Sequence, residues 1–230
     1  MKIKLLPTYN IDSEKEVYAM KFVKYYSLEI YTFFSLLLIT ISAIFVTPDI
    51  TRQIILAYIL LFVLHEWEEG HYPGGFINMV AGVMLGGADN VTIETKKGSR
   101  FFTGIYLFAL TLIPYFAHSY TWLVLPAAFL GLWEGIIHIV GIKIFQRKAP
   151  YTPGMITAEC ELILSLFVFY YLAHNGLATP LQYLISFILM VLGFMCMQRS
   201  LVHSVGKRYR DLPAMMKANL RRMKESKQNL

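Results

Sequence analysis

Long apolar runs, separated by short polar segments, make up most of the chain. Five of these runs come close to the roughly 20 residues that a helix needs to cross a hydrocarbon core of about 30 Å. A helix is expected in each because lipid offers no hydrogen-bonding partners to an open backbone. The five predicted spans are 30–48, 101–117, 122–142, 155–173 and 181–197.

A sixth apolar run, 54–67, is shorter, with eleven consecutive apolar residues before His65. It crosses a membrane only if its charged end lies inside the membrane or at its edge. A further segment, 76–88, is moderately apolar and too short to span, and it carries Gly82 and Gly86 four residues apart. Small residues at that interval allow helices to approach closely, so we predict a re-entrant or interfacial helix there.

These runs divide the chain into three predicted parts. Residues 1–26 form an interfacial cytoplasmic segment, residues 27–200 the helical membrane domain and residues 201–230 a basic tail. Four apolar side chains of the tail fall near one helical face: Met215, Met216, Leu220 and Met223. This pattern is typical of an amphipathic helix that lies on anionic lipid. The predicted fold class is an all-α integral membrane protein with about six transmembrane helices, a short re-entrant or interfacial helix and this amphipathic helix.

Composition and charge agree with a membrane protein and orient it. The chain is 56% apolar and 16% charged, whereas a soluble domain is about half apolar and a quarter charged. With six spans, one side of the membrane receives nearly all Lys and Arg, and the opposite turns carry only Arg52. Positive residues favour the cytoplasmic side, so both termini are expected in the cytoplasm and the protein in the plasma (inner) membrane. No nucleic-acid partner is expected, because lipid explains the basic tail more simply.

The candidate chemistry begins at the end of the sixth run, in the stretch HEWEE. Successive helical residues advance by about 100°, so His65, Glu68 and Glu69 fall within one arc while Glu66 lies outside it. The arc directs one imidazole and two carboxylates at a common point. His71 is a possible further ligand, but the PGG that follows it predicts the end of the helix.

Two later runs carry matching side chains. Glu134 and His138 are four residues apart in LWEGIIHIVG, so one lies above the other on a helix. Glu159 lies near the start of the run at 155–173. Glu161 lies about 200° from Glu159 around the same helix, so the two cannot face the same site. Under the predicted topology, His65–Glu69, His138 and Glu159 lie at one depth, near the cytoplasmic boundary.

Isolated carboxylates in that layer are costly, about 2.5–3.5 kcal/mol each at a helix centre and less near the edge. One arrangement that offsets this cost is a structural network of hydrogen bonds and ion pairs, with Arg100 or Arg147 as partners of the carboxylates. The other is a divalent metal centre of one or two ions, zinc or iron, with neutral imidazoles completing the shell. The predicted metal ligands are His65, Glu68, Glu69, Glu134, His138 and Glu159.

The metal interpretation predicts hydrolysis of an amphiphilic or peptide substrate. Glu68 or Glu69 then acts as general base for a metal-activated water. An oxygen-dependent di-iron reaction is the near alternative. Two other classes stay open: a proton-coupled carrier with intramembrane Glu and His as relays, and a non-catalytic scaffold whose polar cluster locks the helices together.

The stretch HEWEE is similar to the signature of the HXXEE-domain membrane proteins, a prokaryotic group of unknown function. A second stretch, WEGIIHIVGIKIFQRKAPYTPGMITA, resembles the second block of that family, and the two cover roughly residues 54–173. In the family the first polar position of the second block is often Asn, where this chain has Glu134. The resemblance implies a membrane metalloprotein without an established reaction. The positions it marks are His65, Glu68, Glu69, His138, Tyr151, Pro153, Gly154 and Thr157.

The loop before residue 155 offers a second kind of site. Arg147 and Lys148 lie close in sequence to Tyr151, where they are suited to a phosphate or a lipid head group; alternatively, they only set the topology. The predicted substrate-binding or structural loop comprises Arg147, Tyr151, Gly154 and Thr157. The expected partners are therefore membrane lipids and an unknown small or lipid-like substrate.

Overall fold

The computed structural model describes residues 11–85, 93–204 and 206–228, and all regular structure in these ranges is helical. This confirms the predicted all-α class. Two short 3-10 turns, Thr121–Val124 and Tyr209–Asp211, accompany the α-helices. The helices of the described chain are α1 Ile11–Tyr25, α2 Ser27–Phe45, α3 Ile50–Gly70, α4 Phe76–Leu85, α5 Ile93–Phe116, α6 Leu125–Ile144, α7 Met155–His174, α8 Pro180–Ser204 and α9 Leu212–Gln228.

Within the described ranges, five helices are long and apolar enough to cross a membrane: α2, α3, α6 with the 3-10 turn before it, α7 and α8. The run at 54–67, predicted to be a marginal span, belongs to the 21-residue helix α3. By contrast, the predicted span at 101–117 corresponds to Arg100–Phe116, the shorter apolar part of α5. The chain is therefore an all-α protein of membrane type, and the number of six spans stays a prediction.

The extra length of α3 comes from a capped polar first turn. The Asp49 side chain accepts a hydrogen bond from the backbone N–H of Arg52 at 3.0 Å, which satisfies one of the free amides at the helix start. Farther along, α3 is the central helix of the bundle, with Ile55, Tyr58 and Phe62 fully buried. It packs against α2, α5 and α7. Its carboxyl end, which carries HEWEE, is therefore surrounded by other helices.

α6 and α7 pack backbone to backbone through two glycines four residues apart. A Cβ atom on Gly131 would lie 2.6 Å from Ser165 Oγ, and one on Gly135 would lie 2.6 Å from Leu162 Cβ. Small residues at this spacing therefore bring the two helices together. Close packing through small residues is also predicted for α4, but a side chain at Gly82 would meet open space. Gly86 lies outside the described residues, and the re-entrant or interfacial placement of α4 stays a prediction.

The amphipathic helix predicted for the tail is present as α9, and it docks on α4. The buried Asn219 side chain donates from Nδ2 to the carbonyl oxygen of Val83 at 3.1 Å. Basic side chains on the rest of α9 are exposed: Lys217, Arg221 and Arg222. The helix therefore contacts protein on one side and exposes its basic side chains on the other, where anionic lipid stays a predicted partner. The division of the chain into three parts also stays a prediction, and residues 1–10 lie outside the described structure.

Candidate metal centre

Three of the predicted ligands meet near the carboxyl end of α3. Glu69 Oε1 lies 3.5 Å from Nε2 of His65 and 3.3 Å from Nε2 of His138 on α6. The three donor atoms all lie within 4.8 Å of one another. A tetrahedral shell with metal–ligand bonds of about 2.1 Å separates its donor atoms by about 3.4 Å. The spacing of His65, Glu69 and His138, which together form the metal group, therefore fits a single metal ion.

The His65 ring is oriented by the start of α7. Its Nδ1 lies 3.1 Å from the carbonyl oxygen of Gly154 and 3.0 Å from the hydroxyl oxygen of Thr157. A carbonyl oxygen can only accept a hydrogen bond, so Nδ1 is the donor and carries the proton. The neutral ring then has its free lone pair on Nε2, the atom that faces Glu69.

The His138 ring is fixed in the same tautomer by Thr152. The Thr152 hydroxyl donates to the backbone carbonyl of His138 at 3.2 Å, and its oxygen lies 2.9 Å from His138 Nδ1. Because the hydroxyl proton is engaged, Nδ1 is the donor of the second bond. Phe76 of α4 stacks on the ring at a centroid distance of 4.9 Å. The Nε2 atom is buried and has no hydrogen-bond partner among the described residues.

The two imidazoles and Glu69 therefore present lone pairs to one another without a donor hydrogen between them. Buried acceptors left in this way are unfavourable unless a hydrogen-bond donor or a cation lies between them. A proton can join two of the three atoms, whereas a metal ion can bind all three. The bonds from Nδ1 to Gly154 and Thr152 are of the kind that orient metal-binding imidazoles. The arrangement thus has the electronic character of a metal centre.

Glu134 is a neighbour of this group and not a member of it. Its Oε2 lies 3.9 Å from Nε2 of His65 and 3.9 Å from Nε2 of His138. Glu134 is not one of the side chains whose donor atoms all lie within 4.8 Å of one another. The carboxylate is nevertheless close enough to meet a molecule bound at the same point.

The structure does not bring Glu68 into the metal group. Its Oε1 accepts hydrogen bonds from the Tyr151 hydroxyl at 2.8 Å and the Ile156 N–H at 3.1 Å. Its Oε2 accepts from the N–H of Thr157 at 2.9 Å and from its hydroxyl at 2.6 Å. The Glu68 carboxylate thus accepts hydrogen bonds from free amides at the start of α7 and interacts favourably with the positive end of the helix dipole. Through Thr157 it also orients His65.

Tyr151 belongs to the loop before α7 and is held as a hydrogen-bond donor. Partial burial, followed by the bond and the negative charge of Glu68, raises the pKa of Tyr151 to about 12. The hydroxyl therefore stays protonated. Arg147 donates from Nε to the Tyr151 carbonyl oxygen at 3.2 Å. Of the loop residues named from sequence, Tyr151 and Thr157 support the site, whereas Arg147 holds the loop itself.

Gly154 closes the site with its backbone. Its φ of +92° lies in the left-handed region that favours glycine. A Cβ atom there would lie 2.6 Å from Glu69 Cγ, 2.8 Å from His138 Cε1 and 2.9 Å from His65 Cε1. All three candidate ligands therefore rest against this residue, and the site requires that it has no side chain.

The two glutamates of α7 lie outside the metal group. Glu159, a predicted ligand, has a buried Oε1 without a hydrogen-bond partner in the described chain. Glu161 is fully buried, and neither of its carboxylate oxygens has a partner among the described residues. It lies against α6, since a Cβ on Gly131 would be 3.2 Å from Glu161 Cβ. The burial of Glu161 was not predicted.

Arg100 lies at the same end of the bundle, but it does not form the predicted ion pair. Its side chain is 8% exposed, and Nη1 lies 3.1 Å from Nδ1 of His71. No carboxylate oxygen of a described residue lies within 4.0 Å of its guanidinium group. A side chain on Gly70 would overlap that group. His71 therefore contacts Arg100, and the structure does not bring it into the metal group.

A chamber of about 450 Å³ adjoins the metal group. At its polar end it is lined by His65, Glu66, Glu69, Arg100 and Glu134. Most of its remaining wall is apolar and comes from α4, α5, α6, α8 and α9. Helical periodicity had placed Glu66 outside the arc of His65, yet Glu66 is buried and lines this chamber.

Sequence reasoning missed Thr152, Glu66 and Gly70 as parts of the site. Thr152 lies in the YTPG segment next to two marked residues, and that position is the one signal that could have identified it. Glu66 lines the chamber and Gly70 lies against Arg100 because of tertiary packing, so no local pattern reveals these roles.

Comparison of the chain with models of protein families, with curated proteins and with solved structures finds no match in any of the three sets. The similarity to the HXXEE-domain proteins stays a prediction.

Proposed function

We propose that this protein is an integral membrane metalloprotein in which His65, Glu69 and His138 bind a divalent metal ion. The observation that carries the proposal is the fixed tautomer of both imidazoles, which directs two Nε2 lone pairs at one carboxylate oxygen. Two imidazoles and one carboxylate are a donor set of catalytic zinc sites and of non-haem iron(II) sites. Three protein ligands leave room in the shell for a reacting molecule.

The proposed activity is metal-dependent hydrolysis of an amphiphilic or peptide substrate. When bound, the metal supplies Lewis acidity and lowers the pKa of a water molecule. Glu134 is the carboxylate best placed as general base, because Oε2 lies 3.9 Å from both Nε2 atoms but outside the ligand group. Glu68, the base suggested by the sequence along with Glu69, is engaged in four hydrogen bonds. Its proposed role is therefore to position α7 and the His65 ring.

The proposed setting is the plasma (inner) membrane, with both termini in the cytoplasm. The distribution of Lys and Arg along the chain supports this topology. In it, the end of the bundle that carries the metal group faces the cytoplasm. Membership of the HXXEE-domain proteins is part of the same proposal, because HEWEE contributes His65 and Glu69 while the second block contributes His138 and Gly154.

Elemental analysis of the full chain, purified in detergent, tests the metal centre. We expect about one zinc or iron ion per chain in the wild type. The variants His65→Ala, Glu69→Gln and His138→Ala are expected to lose it. The matched control is His118→Ala, in which the changed histidine lies at the other end of the bundle and the metal is retained. A wild-type protein that stays metal-free after incubation with zinc and with iron(II) contradicts the proposal.

The variant Glu134→Gln separates metal binding from catalysis. We expect it to keep its metal and to hydrolyse a chromogenic acyl ester about 10²–10⁴-fold more slowly than the wild type, since general-base catalysis contributes that much. Metal content and turnover are measured on the same preparation. A variant with both wild-type metal content and wild-type turnover excludes Glu134 as the base.

A second candidate function, a proton-coupled carrier, is favoured by Glu161. A carboxylate without partners inside an apolar helix interface is costly and is typical of an ion pathway. Proton flux into liposomes tests this function. Flux that is abolished in Glu161→Gln, with unchanged metal content, supports the carrier. A wild-type protein without flux excludes it.

A further inference from the structure

We infer that the chamber beside the metal group binds a single-chain amphiphile with an acidic head group, and that Arg100 receives this head group. The inference deepens the proposed function, because it names the substrate class of that site, and the reaction of the bound molecule rests on that function.

The polar end of the chamber holds a buried cation with unused hydrogen-bond donors. The guanidinium group of Arg100 has five N–H donors, and the described residues provide one hydrogen bond, to His71 Nδ1. With 8% exposure, the group has little access to water. Arginine binds carboxylate and phosphate groups in a bidentate manner, and such charge-assisted bonds are strong when they are shielded from water. An acidic head group therefore fits this end of the chamber.

The negative charges in the lining do not exclude an acidic ligand once the metal is bound. Among the described residues, three carboxylates line the chamber, Glu66, Glu69 and Glu134, together with one arginine. A divalent ion added to the metal group cancels the remaining negative charge. The acidic head group then lies between two positive centres, Arg100 and the metal, so its binding is expected to strengthen when metal is present.

The rest of the chamber suits a hydrocarbon chain. Its wall includes Trp133 and Ile137 of α6 and Phe194, Met197 and Leu201 of α8. A volume of about 450 Å³ lies in the range of cavities that hold small organic ligands. The wall offers few polar groups, which favours an alkyl chain over a peptide, whose backbone needs hydrogen-bonding partners.

Two of those polar groups are already engaged within the protein. The Tyr106 hydroxyl donates to the carbonyl oxygen of Met190 at 3.0 Å, and the Thr103 hydroxyl contacts Met197 Sδ at 3.9 Å. Neither group is therefore available to a peptide backbone. The apolar wall therefore provides few hydrogen-bonding groups for a polar chain.

The chamber also reaches the outer apolar surface of the bundle. Trp133 lines the chamber and is at the same time 42% exposed, and its ring lies 6.4 Å from that of Phe194, centroid to centroid. On the other side, the 3-10 turn before α9 covers the chamber with Tyr209, and α9 covers it with Leu212 and Met216. The gap between α6 and α8 is thus the place where a lipid chain can enter from the membrane.

Photolabelling of the full chain in lipid nanodiscs tests the inference. Three probes carry the same mid-chain diazirine: a long-chain fatty acid, a monoalkyl phosphate and the methyl ester of the fatty acid. We expect adducts on α6 near Trp133 and on α8 near Phe194, mapped by mass spectrometry. Both acids should label at least about tenfold more strongly than the neutral ester, as the loss of a charge-assisted bond predicts. The ratio of the two acids distinguishes a carboxylate head group from a phosphate.

The variant Arg100→Gln tests the head-group contact directly. We expect labelling by the acids to fall about tenfold, to the level of the ester. Arg222→Gln, which removes the same charge from the exposed side of α9, is expected to label like the wild type. If Arg100→Gln does not fold, the comparison of acid and ester in the wild type still tests the head-group contact. The variant Val80→Trp tests the chamber itself, because it narrows the chamber and should weaken labelling by all three probes.

Labelling confined to the outer surface of α2 and α8 overturns the inference, and equal labelling by acid and ester in the wild type overturns the role of Arg100. Metal content, measured on the same samples, keeps this result separate from the proposed function. Chamber adducts in a protein that binds no metal support the amphiphile site and contradict the metal centre. Metal-loaded protein without chamber adducts supports the metal centre and contradicts the amphiphile site.

Discussion

The two ends of the helical bundle carry the same kinds of ionisable side chain in opposite arrangements. At one end, Asp49 accepts a hydrogen bond from the Arg52 backbone at 3.0 Å, and its carboxylate lies 2.7 Å from His118 Nδ1 and 3.7 Å from the Arg52 guanidinium. At the other end, His65, Glu69 and His138 face one another without a donor hydrogen. The first arrangement pairs its charged groups within the protein, whereas the second leaves acceptors that a metal ion is suited to bind.

This difference is informative because composition alone does not separate the two clusters. Partial burial acts to raise the pKa of Asp49, but the Arg52 amide and the positive charges of His118 and Arg52 hold it below its usual value. A carboxylate that is paired in this way and partly exposed stabilises the fold modestly. At the metal end, the polar contacts of each imidazole are used to fix the ring, and the inward nitrogen is left free. Unsatisfied acceptors that point at one another are therefore better evidence for a ligand site than ionisable residues as such.

The largest effect is expected for Gly154→Ala. The new methyl group would overlap all three candidate ligands, so we expect metal affinity to fall more than about hundredfold and stability to fall by about 3 kcal/mol. Gly176→Ala, at the other end of α7, is the matched control, since Gly176 also has a positive φ of +61° but no atom near its Cβ position. It should cost about 1 kcal/mol and leave the metal in place. Metal titration and thermal unfolding in detergent measure both, and equal losses in the two variants would contradict the contact with the ligands.

A smaller loss is expected for Thr152→Val. Valine keeps the shape but removes the hydroxyl that fixes the His138 tautomer, so metal affinity should fall about 10–100-fold. Chelator competition measures the affinity. Thr111→Val removes a buried hydroxyl of α5 that donates to Leu107, and the metal should be unaffected. An unchanged affinity in Thr152→Val would show that the ring does not depend on this bond.

The variant Glu68→Gln should affect stability more than metal binding. The start of α7 loses a charged acceptor of four hydrogen bonds, which corresponds to about 1–3 kcal/mol. The metal should be retained, whereas the neighbouring change Glu69→Gln should abolish its binding. Thermal unfolding and elemental analysis provide the two measurements. Complete metal loss in Glu68→Gln would return Glu68 to the ligand set predicted from the sequence.

The smallest effect is expected at the opposite end, for Asp49→Asn. Because the pKa of Asp49 is lowered in the folded protein, its stabilisation is present above the unfolded pKa of about 3.9 and is lost as the pH falls through the folded value. At neutral pH the variant should lose less than about 1 kcal/mol. Its stability should then show less dependence on pH in the acid range. Metal content should not change, and a loss of metal would remove the distinction between the two ends.

The sequence predicted the metal group well because helical periodicity fixes the direction of each Cβ atom. His65, Glu69 and His138 were all named from their spacing on two helices, and the structure brings them together. Periodicity does not fix the outer torsions of a long side chain. Glu68 lies on the predicted arc, yet its carboxylate extends to the start of α7.

Two other features were beyond the sequence for different reasons. α7 is apolar around most of its circumference, so no stripe indicates which face is inward, and Glu159 was preferred over the buried Glu161. The first turn of α3 is polar, which shortened the predicted span, although Asp49 caps a full-length helix. In both cases tertiary packing decides what a local pattern leaves open.

The contact between Arg100 and Gly70 has a consequence for finding other proteins of this architecture. The guanidinium group lies where a side chain at residue 70 would begin, so this position of Arg100 goes with HEWEEG and not with HEWEE alone. The second sequence feature is an arginine, here Arg100, at the start of the apolar part of α5. A search that requires both features selects chains that can place the same arginine beside the same glycine, and it excludes chains that share only HEWEE.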